Sequence, residues 1–181
     1  MRKNIYVFSF FFGVVAVTGF LGSRATNTGL KNWYTELNKP SFQPPQAVFP
    51  IAWTVLYATI AVAGSLIYLS DQSRSRTLAL TAWTTQMVFN AAWSELFFRY
   101  RRPDLALIDI SALLISTGIF YVTARKVDRR ASRLFIPYIV WVVFATILNE
   151  EILRLNPTDQ GELTQLREIH RNESSHFLVS A

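Results

Sequence analysis

Polar and charged positions in this 181-residue chain gather in short blocks, and the stretches between them are almost free of charge. The first apolar stretch covers residues 5–23, with Arg2 and Lys3 before it and Arg24 after it. The second covers 48–69 and stops at "SDQSRSR"; the third, 78–98, runs into "RYRR". Pro103 then opens a fourth at 105–124, and the fifth, 135–155, ends at "NPTDQG". About 20 apolar residues in a helix cross a hydrocarbon core of roughly 30 Å. A helix of a soluble protein keeps a polar face, and 5–23 and 112–124 have almost none. The pattern therefore predicts an all-α integral membrane protein. A five-helix transmembrane domain occupies 1–155, and a polar C-terminal tail occupies 156–181. Arg2 and Lys3 ahead of an apolar run also resemble a signal peptide. The run is near spanning length, however, and "FLGSRA" is a poor cleavage site, so a retained first helix is expected.

Composition narrows the reading. The chain is 51% hydrophobic and 17% charged, and its net charge of +6 comes from basic residues at the ends of segments. Membrane proteins keep their cations there, and no basic face is left to grip nucleic-acid phosphates. The chain has no cysteine, which excludes disulfides, Cys-ligated zinc, iron–sulfur clusters and thiol catalysis. Five spans would put nine Lys and Arg residues on each side of the membrane, so the positive-inside rule assigns no orientation.

Helical spacing groups the chemistry-bearing residues. Phe49, Trp53 and Tyr57 fall every four residues on the second helix and form one stripe of rings. Trp83, Gln86, Asn90, Trp93 and Phe97 share a face of the third, and Trp83, near a helix end, is expected in the interfacial aromatic belt. The fifth helix carries Tyr138, Trp141, Ala145 and Leu148, with Asn149 beside them. Any one of these stripes also reads as ordinary packing, and an inward Asn also serves bonding between helices. Together they point to a shared chamber, because Gln86 and Asn90 cost free energy in lipid unless bonded and so should face inward. Aromatic walls with few hydrogen-bonding groups suit a flat apolar ligand with polar edges. The prolines of "NKPSFQPPQAVFPIAW" predict a stiff turn before the second helix, with Pro50 tolerable only where the regular helix begins. That turn either holds the loop bearing Trp33 as a lid over Phe49 and Trp53 or is a plain loop-to-helix connector.

"NWYTELNKPSFQPPQAVFPIAWTVLY", "FNAAWSELFF", "PDLALIDI" and "PYIVWVVFATILNEEILRLN" closely resemble the tryptophan-rich sensory protein/translocator protein family, in matching order from about residue 5 to 156. The resemblance implies a five-helix membrane protein, commonly a homodimer. It implies a receptor or sensor that binds tetrapyrroles such as protoporphyrin IX and haem, needs no resident cofactor or metal, and tunes tetrapyrrole metabolism or a stress response. Many members also bind cholesterol and benzodiazepine-type ligands. The family's pocket falls here on Trp33, Phe49, Trp53, Tyr57, Asn90, Trp93, Trp141, Phe144, Ala145 and Leu148, with Pro44 and Pro45 in the loop. Asp109 matches a carboxylate near the start of the fourth helix. Two alternatives come with the resemblance. One is an enzyme degrading protoporphyrin with light or oxygen, Trp33 being its candidate redox residue. The other is a porphyrin or sterol transporter, for which no repeat or broken-helix pair is visible.

Phe42 stands where the family usually has Trp, and Phe49-Pro50-Ile51-Ala52-Trp53 carries its proline one place early. The region after the fifth helix lacks the Tyr of a sterol-recognition pattern. "LFFRYRR" fits that pattern by letters only, so cholesterol is not the expected ligand. Ion pairs are expected for Asp109 and Glu95 with Arg99, Arg101 or Arg102, and for Glu150 with Arg154. Small residues Ala58, Ala61 and Ser65, or Ala79 and Ala82, offer faces for dimerisation. Both histidines, His170 and His176, lie in the tail, where solvation or haem-iron ligation are the alternatives. No catalytic triad, phosphate loop or metal cluster is legible.

Overall fold

The computed structural model describes residues 2–30 and 33–157. The proposed tail and its histidines lie outside the described residues, apart from Asn156 and Pro157. Helix α1 spans Arg2–Leu30 and a short α2 spans Trp33–Glu36. Then follow α3 (Val48–Leu69), α4 (Arg74–Ser94), a π-helical turn (Glu95–Arg99) and α5 (Pro103–Ala124). A short α6 (Arg129–Leu134) leads into α7 (Ile136–Leu155). No strand occurs among the described residues.

Four stretches are long and apolar enough to cross a membrane: Asn4–Leu30, Val48–Leu69, Pro103–Ala124 and Arg129–Leu155. Helix α4 is of similar length but carries Arg74, Arg76, four threonines, Gln86 and Asn90. Its position explains its composition. It packs against α1, α3 and α5, and Arg76, Ala79, Trp83, Gln86, Met87 and Asn90 are buried along one side. The outer surfaces of the other helices are strongly apolar, with Phe10, Phe20, Ile108, Ile115 and Val140 well exposed.

The proline-rich stretch ends in a helix start of the kind its sequence requires. The Val48 amide donates to the Pro45 carbonyl at 2.9 Å. Pro50 is the third residue of α3, where a backbone N–H would have no intrahelical acceptor, so the missing donor costs little. Helix α1 runs about two turns beyond its expected end at Ser23, to Leu30. The Arg24 guanidinium folds back over the Phe20 ring at 5.8 Å, and Thr26 and Thr28 bond carbonyls four residues earlier. The helix therefore absorbs a charge that reads as a boundary.

At the other end of the bundle Arg76 ties α4 to α3. It is buried, and its guanidinium donates to the carbonyls of Ile67 (3.2 Å) and Tyr68 (2.7 and 3.2 Å) and to Gln72 Oε1 (2.6 Å). A cation on the last carbonyls of a helix satisfies groups that have no intrahelical donor.

Several expectations need correction. Trp83 is not in an interfacial belt: it is 3% exposed, donates Nε1–H to the Ile60 carbonyl at 3.0 Å, and packs edge-on against Phe11. Ala61, Ser65, Ala79 and Ala82 are buried within the chain, so these small residues serve internal helix packing and leave only Ala58 facing outward. Glu95 does pair with Arg99 (3.1 Å), but Arg102 binds Asp104, and Arg154 binds Glu151 rather than Glu150. Asp109 makes no ion pair among the described residues. It lies seven residues beyond Arg102, about 10 Å along the helix, and is buried with Oδ2 lacking a partner among the described residues.

Candidate functional site

Gln86 and Asn90 are fixed on the buried face of α4, one turn apart, and each needs partners inside the bundle. Asn90 finds two. Its Oδ1 accepts from the Tyr57 hydroxyl of α3 at 2.8 Å, and its Nδ2 donates to the Tyr138 hydroxyl of α7 at 2.9 Å. Tyr138 donates onward to Gln86 Oε1 at 2.9 Å. One amide therefore joins three helices. A second amide does similar work a few turns away: Asn149 of α7 accepts from Trp93 Nε1–H at 3.0 Å and donates to the Pro103 carbonyl at 2.9 Å.

Between these ties the helices part around a cavity of about 710 Å³, which Asn90 and Asn149 both line. Phe49, Trp53 and Tyr57 of α3, Asn90 and Trp93 of α4, and Trp141, Ala145 and Leu148 of α7 all line it. Around Trp141 the rings meet edge to face. Phe49 and Trp141 lie 5.9 Å apart at 74°, and Trp53 and Trp141 lie 6.4 Å apart at 82°, edge-to-face contacts that favour a rigid wall. Trp141 Nε1 is buried without a partner among the described residues, a donor on the side chain that forms part of this wall.

Two of the ten expected residues are placed elsewhere. Trp33 does not cover Phe49 and Trp53; it packs edge-on against Phe97 at 5.6 Å, and Phe97 in turn stacks on Trp93 at 5.1 Å. Trp33 therefore supports the wall from behind. Phe144 is half-buried and packs against Phe42 (6.4 Å) and Trp141 (5.5 Å), Phe42 is about half exposed, and neither lines the cavity. The roof is formed instead by Tyr34, Thr35, Lys39 and Gln43. The Tyr34 hydroxyl donates to Gln43 Oε1 at 3.2 Å, and burial raises its pKa, which keeps it a donor. Pro44 is not among the lining residues.

Sequence spacing missed one whole wall. Gly19, Gly22, Ser23, Thr26 and Asn27 of α1 line the cavity. A Cβ at Gly19 would stand 3.0 Å from the Tyr57 ring, and one at Gly22 would stand 3.2 Å from Ser94 Oγ. The run "TGFLGSRATNTG", small and polar inside an apolar helix, is the signal that marks this face. The π-helical turn was also missed. It brings Phe97 and Phe98 to the cavity, and π-turns inside helices often mark functional positions.

The sequence pattern of the TspO/MBR family matches residues 11–155. The chain belongs to the TspO/MBR family. It is 33% identical to the tryptophan-rich protein TspO of Chlorobaculum tepidum over 87% of this chain and the whole of that one. It is 35% identical to the tryptophan-rich sensory protein of Cereibacter sphaeroides over 75% of this chain and 85% of that one. It is 32% identical to the human translocator protein over 76% of this chain and 82% of that one. A TspO/MBR chain with four helices of spanning length and composition is a multi-pass integral membrane protein.

Proposed function

We propose that the chain is a membrane receptor or sensor for a flat, largely apolar ring ligand of the tetrapyrrole class, with protoporphyrin IX or haem as the leading candidates. The observation that carries this reading is the cavity of about 710 Å³ walled by Phe49, Trp53, Trp93 and Trp141 around the Asn90 amide. Its size lies within the range of small-molecule sites, and broad aromatic faces with few polar groups match a macrocycle that is apolar in its plane and polar at its edge. The names of relatives, a sensory protein and translocator proteins, agree with ligand recognition.

In this reading α4 is the fifth crossing helix. Its polar side chains are compatible with lipid because Gln86 and Asn90 face inward, while Thr77 and Thr84 bond their own helix at Ser73 O (3.3 Å) and Leu80 O (3.0 Å). A homodimer belongs to the same proposal. Its contact would use outward residues such as Ile51, Val55 and Ala58 of α3, since the other small residues are taken up inside the chain.

The enzymatic alternative would use Trp33, which packs on Phe97 and is not among the residues lining the cavity; a receptor is favoured for that reason. Illuminating the purified protein with protoporphyrin IX in air separates the two. The receptor reading expects saturable binding with the bound absorption spectrum unchanged apart from ordinary bleaching of the free pigment. Protein-dependent loss of the Soret band, abolished in Trp33→Phe, would replace it with the enzyme.

A further inference from the structure

The end of the bundle opposite the cavity roof carries a second concave feature, a shallow hollow of about 650 Å³ between the end of α5 and the start of α6. Tyr121, Val122, Arg125, Lys126, Val127 and Arg129 line it. We propose that this hollow binds the headgroup of an anionic phospholipid, with the acyl chains lying along α5.

Charge is the first argument. Arg125, Lys126, Arg129 and the nearby Arg133 are exposed and make no ion pair with a described side chain. The one carboxylate in this segment, Asp128, is already committed: it holds Arg130 at 2.9 Å and accepts from the Arg130 and Ala131 amides at the start of α6. Asp71, between α3 and α4, pairs with none of these cations. A phosphate would meet several uncompensated cations, whereas the ammonium of a zwitterionic lipid would find no free carboxylate in the hollow.

Position is the second. Helix α5 has 22 residues, about 33 Å of rise, so its last turn lies at headgroup depth when its first turn lies at the opposite surface. The outward face of α5 carries Ile108, Ile115, Ile119 and Val122, 49–69% exposed and spaced 7, 4 and 3 residues apart. That apolar stripe runs directly into the basic hollow. A stripe for acyl chains ending in cations for a phosphate has the two-part chemistry of a phospholipid, and a free anion would use only half of it. Basic pockets beside membrane helices recognise anionic headgroups on this physical basis, with each cation contributing to retention.

The test uses the full chain in nanodiscs of phosphatidylcholine with phosphatidylglycerol as the minor lipid. After extraction into mild detergent, the lipids retained per chain are counted by mass spectrometry. The expected result is phosphatidylglycerol enriched over its share of the bilayer, a retention about tenfold lower in Arg125→Gln/Arg129→Gln, and recovery in Arg125→Lys/Arg129→Lys. Unchanged intrinsic tryptophan emission checks that each variant is folded. On the unaltered chain, enrichment should fall as sodium chloride rises. Retention at the bulk ratio, enrichment insensitive to salt, or equal retention by the glutamine variant would each overturn the proposal. Protection against heating by inorganic phosphate alone, equal to that by phosphatidylglycerol, would assign the hollow to a free anion and overturn the lipid assignment.

Discussion

Asn38 and Asn156, 118 residues apart, grip each other through both faces of one amide. The Asn38 backbone N–H donates to Asn156 Oδ1 at 2.8 Å, and Asn156 Nδ2 donates back to the Asn38 carbonyl at 2.9 Å. The same Nδ2 bonds the Ile152 carbonyl at 2.8 Å. The loop that roofs the cavity is thereby pinned to the last turn of α7, the helix that supplies Trp141, Ala145 and Leu148.

Asn156→Ala should release that loop. Two exposed hydrogen bonds contribute together on the order of 2 kcal/mol, so loop opening becomes more frequent by roughly tenfold or more. Association and dissociation of protoporphyrin IX in stopped flow are expected to accelerate together, while the equilibrium constant moves much less. A change confined to affinity, with one rate constant fixed, would show that the amide pair does not hold a gate.

Asn90→Ala strips the Tyr57 hydroxyl of its acceptor and the Tyr138 hydroxyl of one donor in the middle of the bundle. A buried polar group left without its partner costs about 1–3 kcal/mol, and a drop of this order is expected in unfolding experiments in detergent. Tyr57→Phe leaves Asn90 Oδ1 without its donor but keeps the Asn90–Tyr138 bond, so it breaks one buried bond rather than two and its cost should be smaller. Equal costs for the two would mean that Asn90 acts through shape alone.

Two glycines should respond to alanine with opposite signs. A Cβ on Gly64 would fall 2.6 Å from the Phe11 ring and 2.7 Å from Trp83 Nε1, at the tightest contact between α1, α3 and α4. Overpacking there is expected to destabilise by about 1–3 kcal/mol, more than the helix propensity gained. Gly13 has nothing within 4 Å of the same position, and Gly13→Ala should be neutral or stabilising by up to about 1 kcal/mol. Thermal melts of both variants check the pair.

Asp128 supplies a pH-dependent term outside the apolar spans. The Arg130 side chain, aided by the Arg130 and Ala131 amides, holds its pKa below the usual carboxylate value. A folded pKa below the unfolded one means that the stabilisation is present above the unfolded pKa and is lost as pH falls through the folded value. Asp128→Asn, which still caps α6, should melt slightly below the parent at neutral pH and converge with it in acid. A constant gap down to strongly acidic pH would contradict the linkage.

Much of this architecture was legible in the chain because burial imposes spacing. Phe49, Trp53 and Tyr57, and Gln86, Asn90 and Trp93, recur at helical intervals, and an amide in an apolar helix must face inward; both facts survive into three dimensions. The α1 wall was not legible, because glycine and serine line a cavity by what they omit, and Arg24 reads as a boundary until it folds over Phe20. Trp33 and Phe144 were misplaced for another reason. Family likeness fixes where a residue falls in the chain, but the direction of its ring depends on neighbours such as Phe97 and Phe42, which no periodicity specifies. Trp83 was misread because depth along a helix says nothing about the carbonyl of Ile60 beside it.

The most direct measurement is a tryptophan-fluorescence quenching titration with protoporphyrin IX on protein in nanodiscs, comparing midpoints rather than amplitudes. The parent should saturate, Trp53→Ala and Asn90→Ala should each shift the midpoint upward by about tenfold, and Trp33→Phe, behind the wall, should shift it far less. Identical midpoints for the parent, Trp53→Ala and Asn90→Ala would mean that the ring ligand does not occupy the chamber between α3, α4 and α7.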